Sequence, residues 1–156
     1  MNTVNLNCFI VPNDGMRFNL FLDCLRKSMK KDLNNIGIVP EDTDDMIQVW
    51  ISAENEDNCS DHGFPDDILK TLGLEDESRF DRRCPKFLPY SILKDVKEGD
   101  VKQFVAPNGA MINIKFEQLP YRYRRFGTFE ETLNYVYYKT QENNKFQEEL
   151  NNKKGA

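Results

Sequence analysis

The first half of the chain alternates between strand and helix periodicity. The spacing of its apolar residues predicts two strands and two helices, in the order strand 4–11, helix 17–33, strand 46–53 and helix 65–72. Gly37 and Gly73 follow the two helices, where glycine commonly ends a helix. The strand at residues 46–53 is apolar on both faces, which is typical of a central strand.

The second half of the chain contains the clearest hairpin signal. Its predicted elements are a short helix at 75–83, a packed connector at 87–93, hairpin arms at 101–106 and 110–119, and a helix from 128 to about 140. Residues 107–109, Pro-Asn-Gly, form the hairpin turn. Thr128 and Glu131 are spaced as a capping box at the start of the last helix. Residues 141–156 are a polar tail that either extends this helix or is disordered.

Together these elements predict an α+β fold with the order β-α-β-α-(α)-β-β-α and a mixed sheet that carries its helices on one face. Residues 1–140 are assigned to a single domain, because the sequence contains no repeat and no second-domain boundary. The strand, helix and strand at the beginning predict a right-handed crossover between two parallel strands.

The composition is that of a soluble globular protein. With 39% hydrophobic and 30% charged residues, the chain can bury a core and does not belong to the disordered class. No apolar run approaches the length of a membrane span, and residues 1–7 lack the layout of a signal peptide. The four cysteines are scattered without a CxxC pair, which predicts reduced thiols in a cytoplasmic protein.

Charge is distributed unevenly along a chain whose net charge is −5. Residues 41–77, the acidic segment, hold thirteen acidic residues and one lysine, whereas residues 79–127 carry a net +6. Two interpretations are open: the two blocks face each other within the domain, or one of them is a recognition surface. In the second interpretation the acidic segment meets a basic partner, through the candidate residues Asp42, Asp44, Asp45 and Trp50.

The Arg/Tyr segment, residues 119–127, is the other candidate surface. It interleaves three arginines with aromatic rings, and its candidate residues are Tyr121, Arg122, Tyr123, Arg124 and Arg125. A guanidinium group can donate two parallel hydrogen bonds and can also stack on a flat ring. Such a pattern can therefore bind a phosphate, a carboxylate or the face of a nucleic-acid base. A structural alternative is also open. In an extended segment, Tyr121 and Tyr123 face the core while the arginines face solvent.

The residues that most often carry catalysis or bind metals form no recognised motif here. The single histidine, His62, lies near Cys59 and Asp61, but zinc requires three or four ligands, so we predict no metal site. The acidic loops do not satisfy the EF-hand pattern, and no nucleotide-binding or hydrolase motif is present, so we predict no cofactor. An unrecognised enzyme that uses His62 is one of two alternatives to the function that we predict below.

The sequence therefore predicts a small acidic cytoplasmic domain that binds another protein without catalysis, in the manner of inhibitor or immunity-type proteins. The first alternative is a binder of nucleic acid or of an anionic ligand that uses the Arg/Tyr segment. The low isoelectric point, near 5.0, argues against a dedicated nucleic-acid binder, since such domains are usually basic. No membrane partner is predicted, and the sequence does not specify the oligomeric state.

Overall fold

The structure, a computed structural model, describes residues 3–12, 30, 32–54, 66–74 and 86–154. Its elements in chain order are β1 (Thr3–Ile10), β2 (Met46–Ala53), α1 (Asp66–Leu72), β3 (Lys86–Pro89), α2 (Tyr90–Leu93), β4 (Val101–Val105), β5 (Met111–Glu117), a 3-10 helix (Tyr121–Tyr123) and α3 (Phe129–Lys154). Residues 32–35 are also helical, in agreement with the end of the helix predicted at 17–33, most of which lies outside the described residues. The short helix predicted at 75–83 lies outside them as well.

The five strands form one curled mixed sheet in the order β3-β2-β1-β5-β4. β1 runs parallel to β5, and the other neighbouring pairs are antiparallel. The long helix α3 packs on this sheet, and buried residues of α1 and α2 belong to the same core cluster. The predicted α+β fold, a mixed sheet with helices on one face, is therefore confirmed.

One face of the sheet, the core face, is built by alternating apolar side chains. On β5, Ile112, Ile114 and Phe116 are fully buried, while the residues between them are more exposed. Phe129 and Leu133 of α3 belong to the same core cluster. Full burial of each such side chain stabilises the fold by roughly 1.5–3 kcal/mol. This apolar row therefore determines where α3 packs.

The direction of β2 differs from the sequence prediction. We predicted that β1 and β2 would be parallel, but they are antiparallel, with Phe9 opposite Trp50. The reason is that residues 38–45 run from one end of the sheet to the other. Gly37 lies against Val105, at the end of the sheet where β1 begins, whereas β2 starts beside the end of β1. A return segment of this kind delivers the next strand in the antiparallel direction.

Gly37 also covers part of the outer edge of β4. Its φ is 86°, in the left-handed region, and a Cβ at this position would lie 2.5 Å from the carbonyl oxygen of Val105. The Ala106 N–H donates to the Ala110 carbonyl, so by the alternation of an antiparallel ladder the backbone groups of Val105 point away from β5. The loop at Gly37 therefore shields an edge to which another strand could otherwise pair.

The local signals in the second half of the chain are confirmed. The strands β4 and β5 flank residues 107–109, and Gly109 takes a φ of 87°. The Thr128 hydroxyl accepts a hydrogen bond from the Glu131 N–H at 3.1 Å, which is one half of the predicted capping box. Helix α3 then runs to Lys154, beyond the end expected near residue 140.

The predicted connector at residues 87–93 contains a strand and a helical turn. β3 adds to β2 as an antiparallel edge strand, and its Leu88 is fully buried. Four residues are too few to show strand periodicity, and Pro89 ends the strand because it has no N–H to donate. Asp44 accepts hydrogen bonds from the backbone N–H and the hydroxyl of Ser91, which fixes the start of α2 to the loop before β2.

The opposite face of the sheet, the outer face, carries a row of amide side chains. Gln103 of β4 donates to Asn113 of β5 at 3.1 Å, and Asn113 donates to Asn5 of β1 at 3.0 Å. Cross-strand pairs of this kind contribute to the pairing of neighbouring strands. A polar row therefore crosses β4, β5 and β1 on the outer face, with the exposed Val101 and Val105 on either side of Gln103 along β4.

Candidate binding surface

Strand register places Trp50 of β2 on the outer face of the sheet. Phe9 of β1 lies opposite both Trp50 and Glu117 of β5, so the three residues form one row across the sheet. Because Cys8 and Ile10 belong to the core, this row lies on the other face. The Arg/Tyr segment follows β5 within two residues and therefore begins beside this row.

The Arg/Tyr segment forms a turn of 3-10 helix and not an extended strand. Tyr121 is 86% exposed and Tyr123 is 45% exposed. The structural alternative, in which both tyrosines face the core, is therefore wrong. The Tyr123 N–H bonds to the Pro120 carbonyl, so successive side chains do not alternate between two faces as they do along a strand. The three arginines of the segment are exposed.

Side-chain hydrogen bonds to the backbone hold the segment in this shape. Arg124 donates from Nε to the Leu119 carbonyl at 2.6 Å. Gln118 donates to the Gly127 carbonyl at 2.7 Å and lies 3.4 Å from the carbonyl oxygen of Phe126. These bonds tie the two ends of the segment together. A segment ordered in this way loses less entropy when it binds a partner.

Tyr123 joins the segment to Trp50. The centroids of the two rings are 5.5 Å apart with their planes at 74°, an edge contact that contributes about 0.5–1.5 kcal/mol beyond burial. The guanidinium carbon of Arg122 lies 4.7 Å from the centre of the Tyr123 ring, within the range of a cation–π interaction. Arg122 therefore lies over Tyr123, and Tyr123 in turn makes an edge contact with Trp50; we call this chain of contacts the stack. The exposed Tyr121 is next to Arg122 in the chain.

A second cluster joins the segment to α3. The ring centroids of Phe126 and Tyr135 are 4.7 Å apart, and the Arg125 guanidinium carbon lies 5.2 Å from the centre of the Tyr135 ring. The Lys139 ammonium lies 5.9 Å from the same ring. Tyr135 and Lys139 were not predicted as part of this surface. Helical spacing shows that they share one side of α3, but it does not show that this side lies beside Arg125. We call the following residues the Arg/aromatic surface: Trp50, Tyr121, Arg122, Tyr123 and Arg125.

The three acidic candidates contact other parts of the same chain. The Lys30 ammonium hydrogen bonds to Asp42 and holds the pKa of that carboxyl below its usual value. Asp44 caps α2, as described above, and Asp45 accepts a hydrogen bond from the Asn144 amide of α3 at 2.9 Å. These carboxylates connect the loop before β2 to neighbouring elements, whereas the candidate tryptophan contacts the Arg/Tyr segment.

The cavities near the segment are small or open. A hollow lined by Ile10, Leu119 and Arg124 has a volume of about 10 Å³, which is room for about one water. A groove of about 490 Å³ lies between residues 94–98 and the start of α3. Its charged side chains, such as Lys97, are exposed, whereas catalytic groups are usually desolvated in a cleft. The groove therefore differs from a desolvated catalytic cleft.

The described residues were also searched for a reactive thiol, a histidine site and a metal site. No group of three or more His, Cys, Asp or Glu among those residues is placed to hold a metal ion. Cys8 is buried in the core, and burial raises the pKa of its thiol far above the ordinary value, which keeps it protonated and unreactive. His62, Cys59 and Cys84 lie outside the described residues, so the enzyme based on His62 stays a prediction.

The described helices are too short or too polar to cross a bilayer. Comparison with known proteins identifies no relative: neither the family models, nor the curated proteins, nor the solved structures contain a match for this chain. The Arg/aromatic surface is therefore the feature from which a function can be inferred.

Proposed function

We propose that this chain is a small non-enzymatic domain that binds another protein through the Arg/aromatic surface. The observation that carries the proposal is the stack of Arg122 on Tyr123 and Trp50, beside the exposed Tyr121. Tryptophan, tyrosine and arginine dominate the energetics of protein interfaces, because large rings bury much area and a guanidinium makes several directed hydrogen bonds.

The order of the segment supports this proposal. Arg124 and Gln118 use their side chains to hold the backbone of the segment, and Tyr123 rests against Trp50 of the sheet. Tyrosine and tryptophan have few rotatable bonds, so they contribute contact area at a low cost in conformational entropy. A surface that is ordered before binding keeps a larger share of its contact energy as affinity.

The shape of the surface favours a macromolecule over a metabolite. Small ligands bind in cavities of about 300–1,000 Å³ that enclose most of their surface. The hollow at the Arg/Tyr segment has a volume of only about 10 Å³, and the side chains of Tyr121 and Arg122 are exposed outside it. A partner therefore contacts these side chains from outside, as one protein surface contacts another.

The acidic residues take a smaller part in this proposal than the sequence suggested. Asp42, Asp44 and Asp45 each contact a residue of the same chain, and breaking those contacts would offset any gain from a basic partner. Trp50 stays in the proposed interface, but it acts with Tyr123 and Arg122 instead of with the carboxylates.

Site-specific photo-crosslinking tests this proposal directly. A photoreactive phenylalanine replaces Tyr121 in the full chain, and crosslinks are formed in lysate of the source cells. The matched control carries the same group at Tyr138, an exposed tyrosine of α3 (59% exposed) that belongs neither to the Arg/Tyr segment nor to the Arg/aromatic surface. We expect a discrete protein adduct at position 121 that is absent at position 138 and is lost when Arg122→Ala is added.

Two results would overturn the proposal. Crosslinks from position 121 that match those from position 138 would show that the surface has no specific partner. Crosslinks to nucleic acid alone, with a steep dependence on salt, would favour the alternative in which the arginines hold phosphates.

A further inference from the structure

We infer that the partner presents an acidic segment to the Arg/aromatic surface, with carboxylates that pair with Arg122 and an apolar side chain that packs on Tyr121. This inference rests on the proposed function and names the chemistry of the partner. It follows from three features of the surface: the geometry of Arg122, the charges on either side of the segment, and the exposed rings.

Arg122 is placed to bind a carboxylate. Its guanidinium carbon lies 4.7 Å from the centre of the Tyr123 ring, a cation–π contact that does not use up the N–H donors of the group. Within the described parts of the chain, Arg122 has no carboxylate at ion-pair distance, and its side chain is exposed. A planar fork of this kind matches the two oxygens of a carboxylate.

The charges around the segment favour single carboxylates over a phosphate backbone. Glu117 precedes the segment at the end of β5, and Glu130 and Glu131 follow it in the first turn of α3. A nucleic-acid strand carries a charge at every nucleotide and needs a continuous basic track. Here acidic residues flank the three arginines on both sides in the chain, with Glu117 paired to Lys115 at 3.2 Å, and the whole chain has a net charge of −5. A short acidic segment of a protein can place a carboxylate on Arg122 and avoid the glutamates.

The exposed rings specify a second feature of the partner. Tyr121 is 86% exposed, and the ring of Tyr123 is partly exposed beside it. Such rings gain most from a partner side chain that is itself apolar, because water leaves both surfaces when they meet. The inferred partner segment therefore combines Asp or Glu with a residue such as Leu or Phe.

The single tryptophan of the chain makes the test specific to this site. Because Trp50 contacts Tyr123, its indole N–H resonance and its fluorescence report binding at the stack. The probe is a synthetic peptide in which Glu and Asp flank Phe and Leu, and the matched peptide replaces each acid with Gln or Asn. A thymidine oligonucleotide of similar length is the third ligand.

We expect the acidic peptide to shift the Trp50 signal and to bind about tenfold more tightly than its neutral match, with the difference reduced by added salt. Arg122→Gln should abolish this preference, and Arg122→Lys should keep only part of it, since lysine retains the charge but not the fork. Lys145→Gln, on an exposed part of α3, should leave the preference unchanged.

Equal binding of the two peptides, or no binding of either, would overturn the inference. Tighter binding of the oligonucleotide than of the acidic peptide would overturn it in favour of nucleic acid. If the peptides fail while position 121 still crosslinks to a protein, only the acidic character of the partner is wrong and the proposed function stands.

Discussion

At the residue scale, the absence of a side chain at Gly37 allows two parts of the backbone to come into close contact. Its φ is 86°, and a Cβ at this position would lie 2.5 Å from the Val105 carbonyl oxygen. The obstacle to Gly37→Ala is therefore backbone, which cannot move aside as the end of a flexible side chain can. We expect the substitution to lower the free energy of unfolding by more than about 2 kcal/mol, measured by urea denaturation.

Gly73→Ala is the matched control for this prediction. Gly73 also has a positive φ, of 77°, but a Cβ there would meet nothing within 4 Å. Gly73→Ala should therefore lower the free energy of unfolding only by the cost of the left-handed conformation for alanine, about 1 kcal/mol. Equal losses for the two variants would show that the approach of Gly37 to β4 has no energetic consequence.

The contact of Tyr123 with Trp50 gives a second prediction at the residue scale. Removal of the Tyr123 ring by Tyr123→Ala exposes part of the only tryptophan of the chain. We expect the fluorescence emission of the folded protein to shift to longer wavelength, and the free energy of unfolding to fall by about 1 kcal/mol. Tyr138→Ala, at an exposed position of α3, should change neither quantity. Unchanged emission in Tyr123→Ala would contradict the observed stack.

At the scale of single elements, α2 depends on a carboxylate that lies far from it in the chain. Asp44 accepts hydrogen bonds from the N–H and the hydroxyl of Ser91, in the first turn of this four-residue helix. We expect Asp44→Ala to lower the free energy of unfolding by about 1 kcal/mol, as the loss of other helix caps does. The measurement is urea denaturation at neutral pH.

The control for Asp44 is its neighbour Asp42, whose side chain is 86% exposed and pairs with Lys30. Exposed ion pairs contribute little because water screens them, so Asp42→Ala should leave stability unchanged. A loss in Asp42→Ala as large as that in Asp44→Ala would mean that the negative charge of the loop matters more than the cap.

The elements that the sequence predicted well are those with local signals. The turn at residues 107–109 and the Thr128 cap each depend on residues within a few positions of one another, and both are present in the structure. β3 was missed because four residues show no periodicity. The predicted direction of β2 was wrong because the direction depends on the path of residues 38–45 along the sheet, and no local sequence pattern encodes that path.

The candidate surface follows the same division. Exposed arginines in the Arg/Tyr segment were predictable from composition, but the stack of Tyr123 on Trp50 was not, because the two residues are distant in the chain. The sequence grouped Trp50 with the acidic residues that precede it. In the fold, strand register instead places it on the outer face, opposite Phe9 and in the same row as Glu117. A contact of this kind depends on the whole sheet.

At the scale of the whole molecule, α3 divides into a packed part and an outer part. Among the side chains of α3 that the structure describes, the buried ones lie between Phe129 and Thr140, and Asn144 bonds to Asp45 in the loop before β2. Further along, Phe146 is 56% exposed. The assignment of residues 1–140 to the folded domain stays a prediction, and this distribution of burial gives it a physical basis.

Truncation of α3 tests that division. A chain that ends at Asn144 loses the last ten residues of the 26-residue helix but keeps every buried side chain of its packed part. We expect it to unfold cooperatively, with a loss of less than about 1 kcal/mol, since the removed side chains that the structure describes are exposed or, for Leu150, half-buried, and such positions contribute little to stability. A chain that ends at Tyr135 also loses Val136 and Thr140 and should not unfold cooperatively, because it leaves part of the core face of the sheet uncovered. Urea denaturation followed by circular dichroism measures both chains, and a large loss of stability in the longer one would show that the outer part of α3 belongs to the folding unit.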